Sequence, residues 1–219
     1  MSRTDRALAE ARHALVQLLL REGAIRNPAV ADAFRQTPRH RFVPADLIDE
    51  AYADRALPVD CGQTISQPYM VAVMTELLAP APDHIILEIG TGTGYQAAIL
   101  ARLCRRVVTV ERIPELSGQA ACRLRQLGLT NIVCRVGDGT LGWPADGPYD
   151  GIVVTAGAPG IPAALSAQLR DGGVMAIPVG DRLCQTLLAV RRTGDAFVTE
   201  AHGDCVFVRL IGRDGWAAD

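Results

Sequence analysis

The sequence contains no lysine: all 22 positive side chains among its 219 residues are arginine. That excludes Schiff-base chemistry on this chain, and it excludes a P-loop, whose GK[ST] ending needs the ammonium group. Cysteine is present at positions 61, 104, 122, 134, 184 and 205, but nowhere with Cys-x-x-Cys spacing. Scattered single thiols in a chain without a secretory signal read as reduced core residues, neither a disulfide framework nor a zinc site. Charge of one sign is not in excess either. A formal net charge of −2 offers no basic surplus for a phosphate backbone, so nucleic acid is not the expected partner. No apolar run approaches the roughly 18 residues of a membrane span, and the first ten residues lack the apolar centre of a signal peptide. The expectation is a cytoplasmic monomer with no membrane partner.

What is there suits a folded chain. Hydrophobic residues make up 49% and charged residues 21%, enough for a sizeable core. At roughly 100 to 200 residues per domain, the length allows one full domain with a small appendage. The first eighty residues are helical in pattern. Leu8, Leu15, Leu18 and Leu19 recur at helical spacing until Gly23. Asn27-Pro28 supplies a cap and first-turn proline for a second helix ending near Thr37-Pro38. Leu57 to Gln67 shows no period and reads as an ordered loop, after which Pro68 opens a helix through Leu78.

After Pro82 the texture changes. Continuous apolar runs at His84–Ile89, Val107–Val110, Gly151–Thr155, Val174–Pro178 and Leu187–Val190 read as strands. Helical stretches at Tyr95–Leu103, Pro114–Leu127 and Pro162–Leu169 separate the first of them. Phe197 to Ile211 reads as further strand with a turn at His202-Gly203-Asp204. Strands apolar on both faces and alternating with helices indicate a doubly wound, mostly parallel sheet of the Rossmann-like type. The expected division is a helical N-terminal extension over 1–80 and an α/β domain over 81–219.

The strongest local signal is Ile85-Ile86-Leu87-Glu88-Ile89-Gly90-Thr91-Gly92-Thr93-Gly94-Tyr95, a strand that turns through three alternate glycines into a helix. Glycines there admit a ligand close to the backbone. A dinucleotide fingerprint would place a small residue where Tyr95 stands, so that pattern fits poorly. Glu111 ends the next strand, where a carboxylate can accept both ribose hydroxyls. Asp138, in Gly137-Asp138-Gly139, follows the third strand, where an acceptor can take an adenine amino group, although Asp-Gly is also a common turn. Successive acids at strand tips would line the carboxyl edge of the sheet, where open α/β folds bind ligands.

Ahead of this lies Asp60-Cys61-Gly62-Gln63-Thr64-Ile65-Ser66-Gln67-Pro68-Tyr69-Met70. On local physics alone it is an ordinary helix start, with Ser66 or Gln67 near the cap and Pro68 in the first turn. Together with Arg41-Phe42-Val43-Pro44, Ala56-Leu57-Pro58, the glycine turn, Gly137-Asp138-Gly139, Thr155-Ala156-Gly157-Ala158-Pro159, Gly172-Gly173 and Ile177-Pro178-Val179-Gly180, it resembles the protein-L-isoaspartate (D-aspartate) O-methyltransferase family. The stretches appear in the family's order over about residues 30 to 212. One departure stands near the C-terminus: Arg209, in Phe207-Val208-Arg209-Leu210, occupies a place where the family commonly has proline.

The resemblance implies a class I methyltransferase with a seven-stranded sheet, using S-adenosyl-L-methionine and releasing S-adenosyl-L-homocysteine, without a metal. It implies methyl transfer to the free α-carboxylate of L-isoaspartyl, and possibly D-aspartyl, residues in damaged proteins and peptides, initiating repair through a succinimide. By carry-over, Ser66 is the active-site serine. Thr64, Ile65, Ser66 and Val208 contact the substrate, and Glu88, Gly90, Thr91, Gly92, Gly94, Glu111, Asp138 and Gly139 bind the cofactor. A relative redirected to a dedicated peptide or small-molecule carboxylate is the alternative within the class. A nicotinamide-dependent oxidoreductase and a binding module without turnover are the alternatives outside it.

Overall fold

The computed structural model describes residues 3–218. Three helices lead the chain: α1 (Arg3–Arg21), α2 (Pro28–Gln36) and α3 (Pro68–Leu78). The α2 start is the expected cap, since the Asn27 side chain accepts from Ala29 N at 2.9 Å and Pro28 fills the first turn. Leu15, Val16 and Leu19 of α1 are buried, which accounts for the leucine spacing.

Strands and helices then alternate: β3 (Ile85–Ile89), α4 (Tyr95–Leu100), β4 (Arg106–Glu111), α5 (Pro114–Gln126), β5 (Ile132–Val136), β6 (Tyr149–Val154), α6 (Ala163–Ala167), β7 (Leu169–Gly180), β8 (Gln185–Thr193) and β9 (Ala196–Cys205). They form one seven-stranded sheet in the order β5-β4-β3-β6-β7-β8-β9. The pairs from β5 to β7 are parallel; β8 and β9 add antiparallel. The order reverses at β3, so the tips of β3, β4 and β6 border the crevice where doubly wound sheets bind ligands.

The strands divide their side chains between two cores by strict alternation. Ile86, Val107, Val153 and Ala176 meet a cluster that includes Leu19, Phe34, Phe42, Met74 and Leu78 of the N-terminal segment. Leu87, Ile89, Val108, Ile152 and Ile177 meet the other, with Tyr149 and Leu165. The central strands therefore read as continuous apolar runs because both faces are covered.

Several expectations are corrected. The stretch Leu57 to Gln67 is no plain loop: β1 (Leu57–Pro58) and β2 (Thr64–Ile65) pair antiparallel, burying Leu57 and Ile65, in segments too short to show a period. The strand of Phe197 to Ile211 has no turn at His202-Gly203-Asp204. Instead β9 runs through it, and pairing steps from Leu188↔Ala201 to Thr186↔Asp204, a one-residue bulge at which Gly203 takes φ +92°. Beyond Cys205 the chain leaves the sheet, and Gly157 pairs with Arg209 in a single bridge. The α6 helix stops at Ala167 because Leu169 already pairs with Tyr149. The α4 helix ends at Leu100 and continues as turns. Only Cys104 and Cys205 are buried core thiols; Cys61, Cys122 and Cys184 are exposed, and all six are free. Among the described residues, no helix is long and apolar enough to cross a membrane.

Candidate active site

The glycine turn leaves β3 with φ +93° at Gly90, +51° at Gly92 and +90° at Gly94, all in the left-handed region. At Gly90 there is a second reason for glycine: a Cβ would overlap Thr155 Oγ1. That hydroxyl, from the tip of β6, donates to Ile89 O and Gly90 O at 3.0 and 2.8 Å and fixes the turn from behind.

Glu111, at the tip of β4, is 6% exposed. Its Oε2 accepts from Gly92 N at 2.9 Å and its Oε1 from Ile113 N at 3.0 Å. The carboxylate is thus held in a fixed attitude with a lone pair left on each oxygen. Beneath it runs a buried polar chain. Thr91 Oγ1 and Thr109 Oγ1 lie 2.6 Å apart, and Thr109 Oγ1 donates to Glu88 Oε2 at 2.5 Å. Glu88 is fully buried, and among the described residues its Oε1 has no partner at full hydrogen-bond geometry. Burial pushes this carboxyl up to about 8; the Thr109 bond pulls it down, and the nearby Glu111 charge pushes it further up.

The loop ahead of α3 is tied down by two residues outside the motifs that carry the family resemblance. Arg39 is fully buried, with the Asp54 charge near enough to favour its ionised form. Its guanidinium donates to Ala51 O at 2.8 Å, Ser66 O at 2.9 Å and Arg55 O at 3.2 Å, and lies 5.1 Å from the Tyr95 ring centroid. Asp54 accepts from Tyr69 N at 2.8 Å and from Gln67 Nε2 at 3.0 Å. Ser66 is therefore anchored through its carbonyl and its C-terminal neighbours, and it lines the pocket. An arginine inside Arg39-His40-Arg41 reads as surface charge, so nothing in the pattern singles it out.

One pocket collects most of the predicted residues. Thr64, Ile65, Ser66 and Val208 line it, as do Glu88, Gly90, Thr91, Gly92, Glu111 and Gly139. Gly139 belongs to the wall where a Cβ would overlap the Ile89 side chain. Thr155, Gln96 and Arg112 join the lining without having been assigned a role from sequence. Gly94 and Asp138 do not line it. Gly94 starts α4 and faces Leu124, and Asp138 turns toward the C-terminal segment. Asp138 Oδ1 accepts from Thr140 N and Oγ1 at 2.9 and 2.6 Å, and Oδ2 from Arg213 N at 2.8 Å. Burial raises this carboxyl, but the bonds from Arg213 and Thr140 outweigh it and hold it below the usual carboxylate value. Among the described residues no cluster of histidine, cysteine and acidic side chains is placed to hold a metal ion. What the pocket presents is glycine backbone, the oriented Glu111 carboxylate with the buried Glu88 carboxyl, and a hydroxyl-bearing loop.

Comparison with known proteins gives consistent results. A family profile described as protein-L-isoaspartate(D-aspartate) O-methyltransferase matches residues 10–215. The protein-L-isoaspartate O-methyltransferase of Methanopyrus kandleri is 51% identical over 221 residues, covering 99% of this chain and 98% of that protein. That of Trichlorobacter lovleyi is 51% identical over 94% of this chain and 95% of its own. A solved protein-L-isoaspartate O-methyltransferase superposes with a TM-score of 0.85 at 28% identity, over 93% of this chain and 67% of that one. A Plasmodium falciparum protein solved in complex with S-adenosyl-L-homocysteine shares the fold, with a TM-score of 0.80 at 21% identity over 91% and 98% of the two chains.

Proposed function

Because the chain belongs to the protein-L-isoaspartate(D-aspartate) O-methyltransferase family, we propose that its pocket joins a cofactor half and a substrate half to methylate the α-carboxylate of isoaspartyl residues. The enzyme is an S-adenosylmethionine-dependent carboxyl methyltransferase, and the products enter repair through a succinimide. The observation that carries the reading is the meeting of Ser66, Gly90 and Glu111 in one pocket at the strand tips.

The residues present fit the cofactor. Gly90 and Gly139 stand where any Cβ would collide with the fold, leaving bare backbone along the cleft. Glu111 keeps two fixed acceptor sites suited to a ribose diol, and Thr91 and Gly92 form the adjoining wall. When bound, S-adenosylmethionine supplies a methyl carbon activated by its sulfonium. Glu88 acts from below, as part of the Thr91–Thr109 chain that stiffens the turn. Asp138 holds the 212–214 segment against the pocket wall through Arg213 N; contact with an adenine amino group would use its remaining lone pairs. Gly94 permits the left-handed entry into α4.

The substrate half needs no base. A carboxylate with a reference pKa near 4 is already ionised at neutral pH. What the chain supplies is alignment, and effective molarities of order 10⁵ M or more cover much of the acceleration. Ser66 orients the carboxylate by donating its hydroxyl to one oxygen, leaving the other free to attack. A neutral donor does this without the ground-state stabilisation that a close ion pair brings. Thr64, Ile65 and Val208 form the surrounding wall.

In this reading residues 1–80 carry the substrate loop and 81–219 hold the cofactor. The working unit is a single chain in the cytoplasm, and its net charge of −2 gives it no general hold on nucleic acid or anionic lipid. The test is transfer of a labelled methyl group from S-adenosylmethionine to an isoaspartyl peptide and to its matched aspartyl twin. Ester on the isoaspartyl peptide alone is expected; equal labelling of both, or of neither, overturns the reading.

A further inference from the structure

Beside the pocket lies a second cavity of about 510 Å³, and three of its eight lining residues are arginines: Arg112, Arg182 and Arg209. No lining residue is acidic. It shares Gln63, Arg112, Val208, Arg209 and Ile211 with the active pocket, so the two are one continuous depression. The groove is thus open to the residues beside an isoaspartyl carboxylate placed at Ser66.

Three separate elements bring the arginines together. Arg112 directly follows Glu111 at the tip of β4, Arg182 sits in the turn between β7 and β8, and Arg209 lies on the segment bridged to Gly157. The acids next to Arg112 and Arg182 in sequence are held by backbone donors and not by these arginines. Glu111 is bound to Gly92 N and Ile113 N, and Asp181 Oδ1 accepts from Leu183 N and Cys184 N at 2.7 and 2.9 Å. Among the described residues no ion pair ties Arg112 or Arg182. Arg182 is instead supported by a ring, 5.4 Å above the Trp216 centroid, and Trp216 is itself fixed by donating Nε1–H to Gly157 O at 3.1 Å. An arginine over an aromatic face keeps its edge donors free for a carboxylate. Arg209 is held in place by the bridge bonds on either side of it, Gly157 N to Val208 O at 2.7 Å and Leu210 N to Gly157 O at 2.8 Å.

Building on the proposed activity, we infer that this groove selects isoaspartyl sites flanked by acidic residues. On a chain of net charge −2, a local cluster of one sign is a recognition feature and not a general trend of the surface.

The experiment uses isoaspartyl peptides identical except for acidic, neutral or basic flanks on each side. It measures kcat/KM for methylation and, separately, Kd by anisotropy with S-adenosylhomocysteine present. The acidic-flanked peptide is expected to exceed the neutral one by about tenfold at low salt, and by less than about twofold near 0.5 M salt, where screening acts within roughly 4 Å. Arg182→Glu is expected to move the preference toward basic flanks, and Arg182→Lys to restore it; as a ratio between peptides, this readout is insensitive to the amount of folded enzyme. Equal kcat/KM and Kd across the flanks, or a ratio unmoved by Arg182→Glu, overturns the inference and leaves the methyltransferase reading intact. An acidic preference in Kd with no methylation of any peptide supports the groove and overturns the activity. Neither methylation nor preference overturns both.

Discussion

Arg39→Lys tests whether the substrate loop is held in place from inside the protein. The guanidinium spans three carbonyls, on Ala51, Arg55 and Ser66, at 2.8–3.2 Å and is completely buried. Desolvation by burial draws its pKa below the ordinary arginine value, and lysine keeps the charge but has one compact ammonium that cannot reach all three acceptors. If one bond survives, two charged hydrogen bonds are lost, at about 1.5–3 kcal/mol each, or about 3–6 kcal/mol in all. For a chain of this size that is a fall in Tm of roughly 6–24 °C. Thermal melts would measure it. Kinetics should be run well below the variant's own midpoint, where all of it is folded. There kcat is expected to fall at least about tenfold, because misplacement of the reacting groups by an ångström is costly. The Kd for S-adenosylhomocysteine should stay within about twofold, because Arg39 lies outside the pocket lining. A folded variant with unchanged kcat would reduce Arg39 to a packing residue, and an equal loss of cofactor affinity would refute the division of the pocket into two halves.

Three further outcomes follow from the site. Ser66→Ala should lower kcat by about 10²-fold, the scale for an oriented donor at a reacting centre, with cofactor Kd by calorimetry unchanged; a matching loss of cofactor affinity contradicts its role. Glu88, whose buried carboxyl titrates near 8 against an ordinary 4.5, contributes stability that is complete below about 4.5 and is lost as pH rises through about 8. Wild-type Tm should therefore fall between about pH 4.5 and 8 and level off above that, and Glu88→Gln should remove that part of the slope, while an identical slope in the variant would show Glu88 ionised throughout. Gly90→Ala, with φ +93° and its Cβ against Thr155 Oγ1, should cost at least about 1–3 kcal/mol and abolish saturable cofactor binding; Gly90→Ala in the double variant with Thr155→Ser should recover neither, since serine retains the colliding oxygen.

Much of the architecture was legible because its signals are local. The apolar runs at β3, β4 and β6 announced strands covered on both faces, and Asn27-Pro28 announced the start of α2. What escaped depends on contacts far apart in sequence. The bulge that carries β9 through His202-Gly203-Asp204 exists only in register with β8, so the glycine looked like a turn. The hairpin of β1 and β2 is two residues on each side, below the length at which alternation shows. In the site, the residues carried on contiguous motifs were found: Ser66 and the glycine turn. Arg39, Asp54 and Thr155 act through bonds spanning 27, 15 and 65 residues, and no spacing rule exposes them. Asp138 shows the converse. Its position after the third strand suits a ligand contact, yet its carboxylate meets Arg213, which lies 75 residues further on.

Methyl transfer here requires the Ser66 hydroxyl and the cofactor's sulfur to approach one carboxylate from opposite sides. The direct measurement is a crystal structure of the enzyme with S-adenosylhomocysteine and an isoaspartyl peptide. It should place Ser66 Oγ within about 3 Å of one α-carboxylate oxygen, with the other oxygen facing the sulfur. A peptide carboxylate seated in the pocket with Ser66 turned to solvent would contradict it.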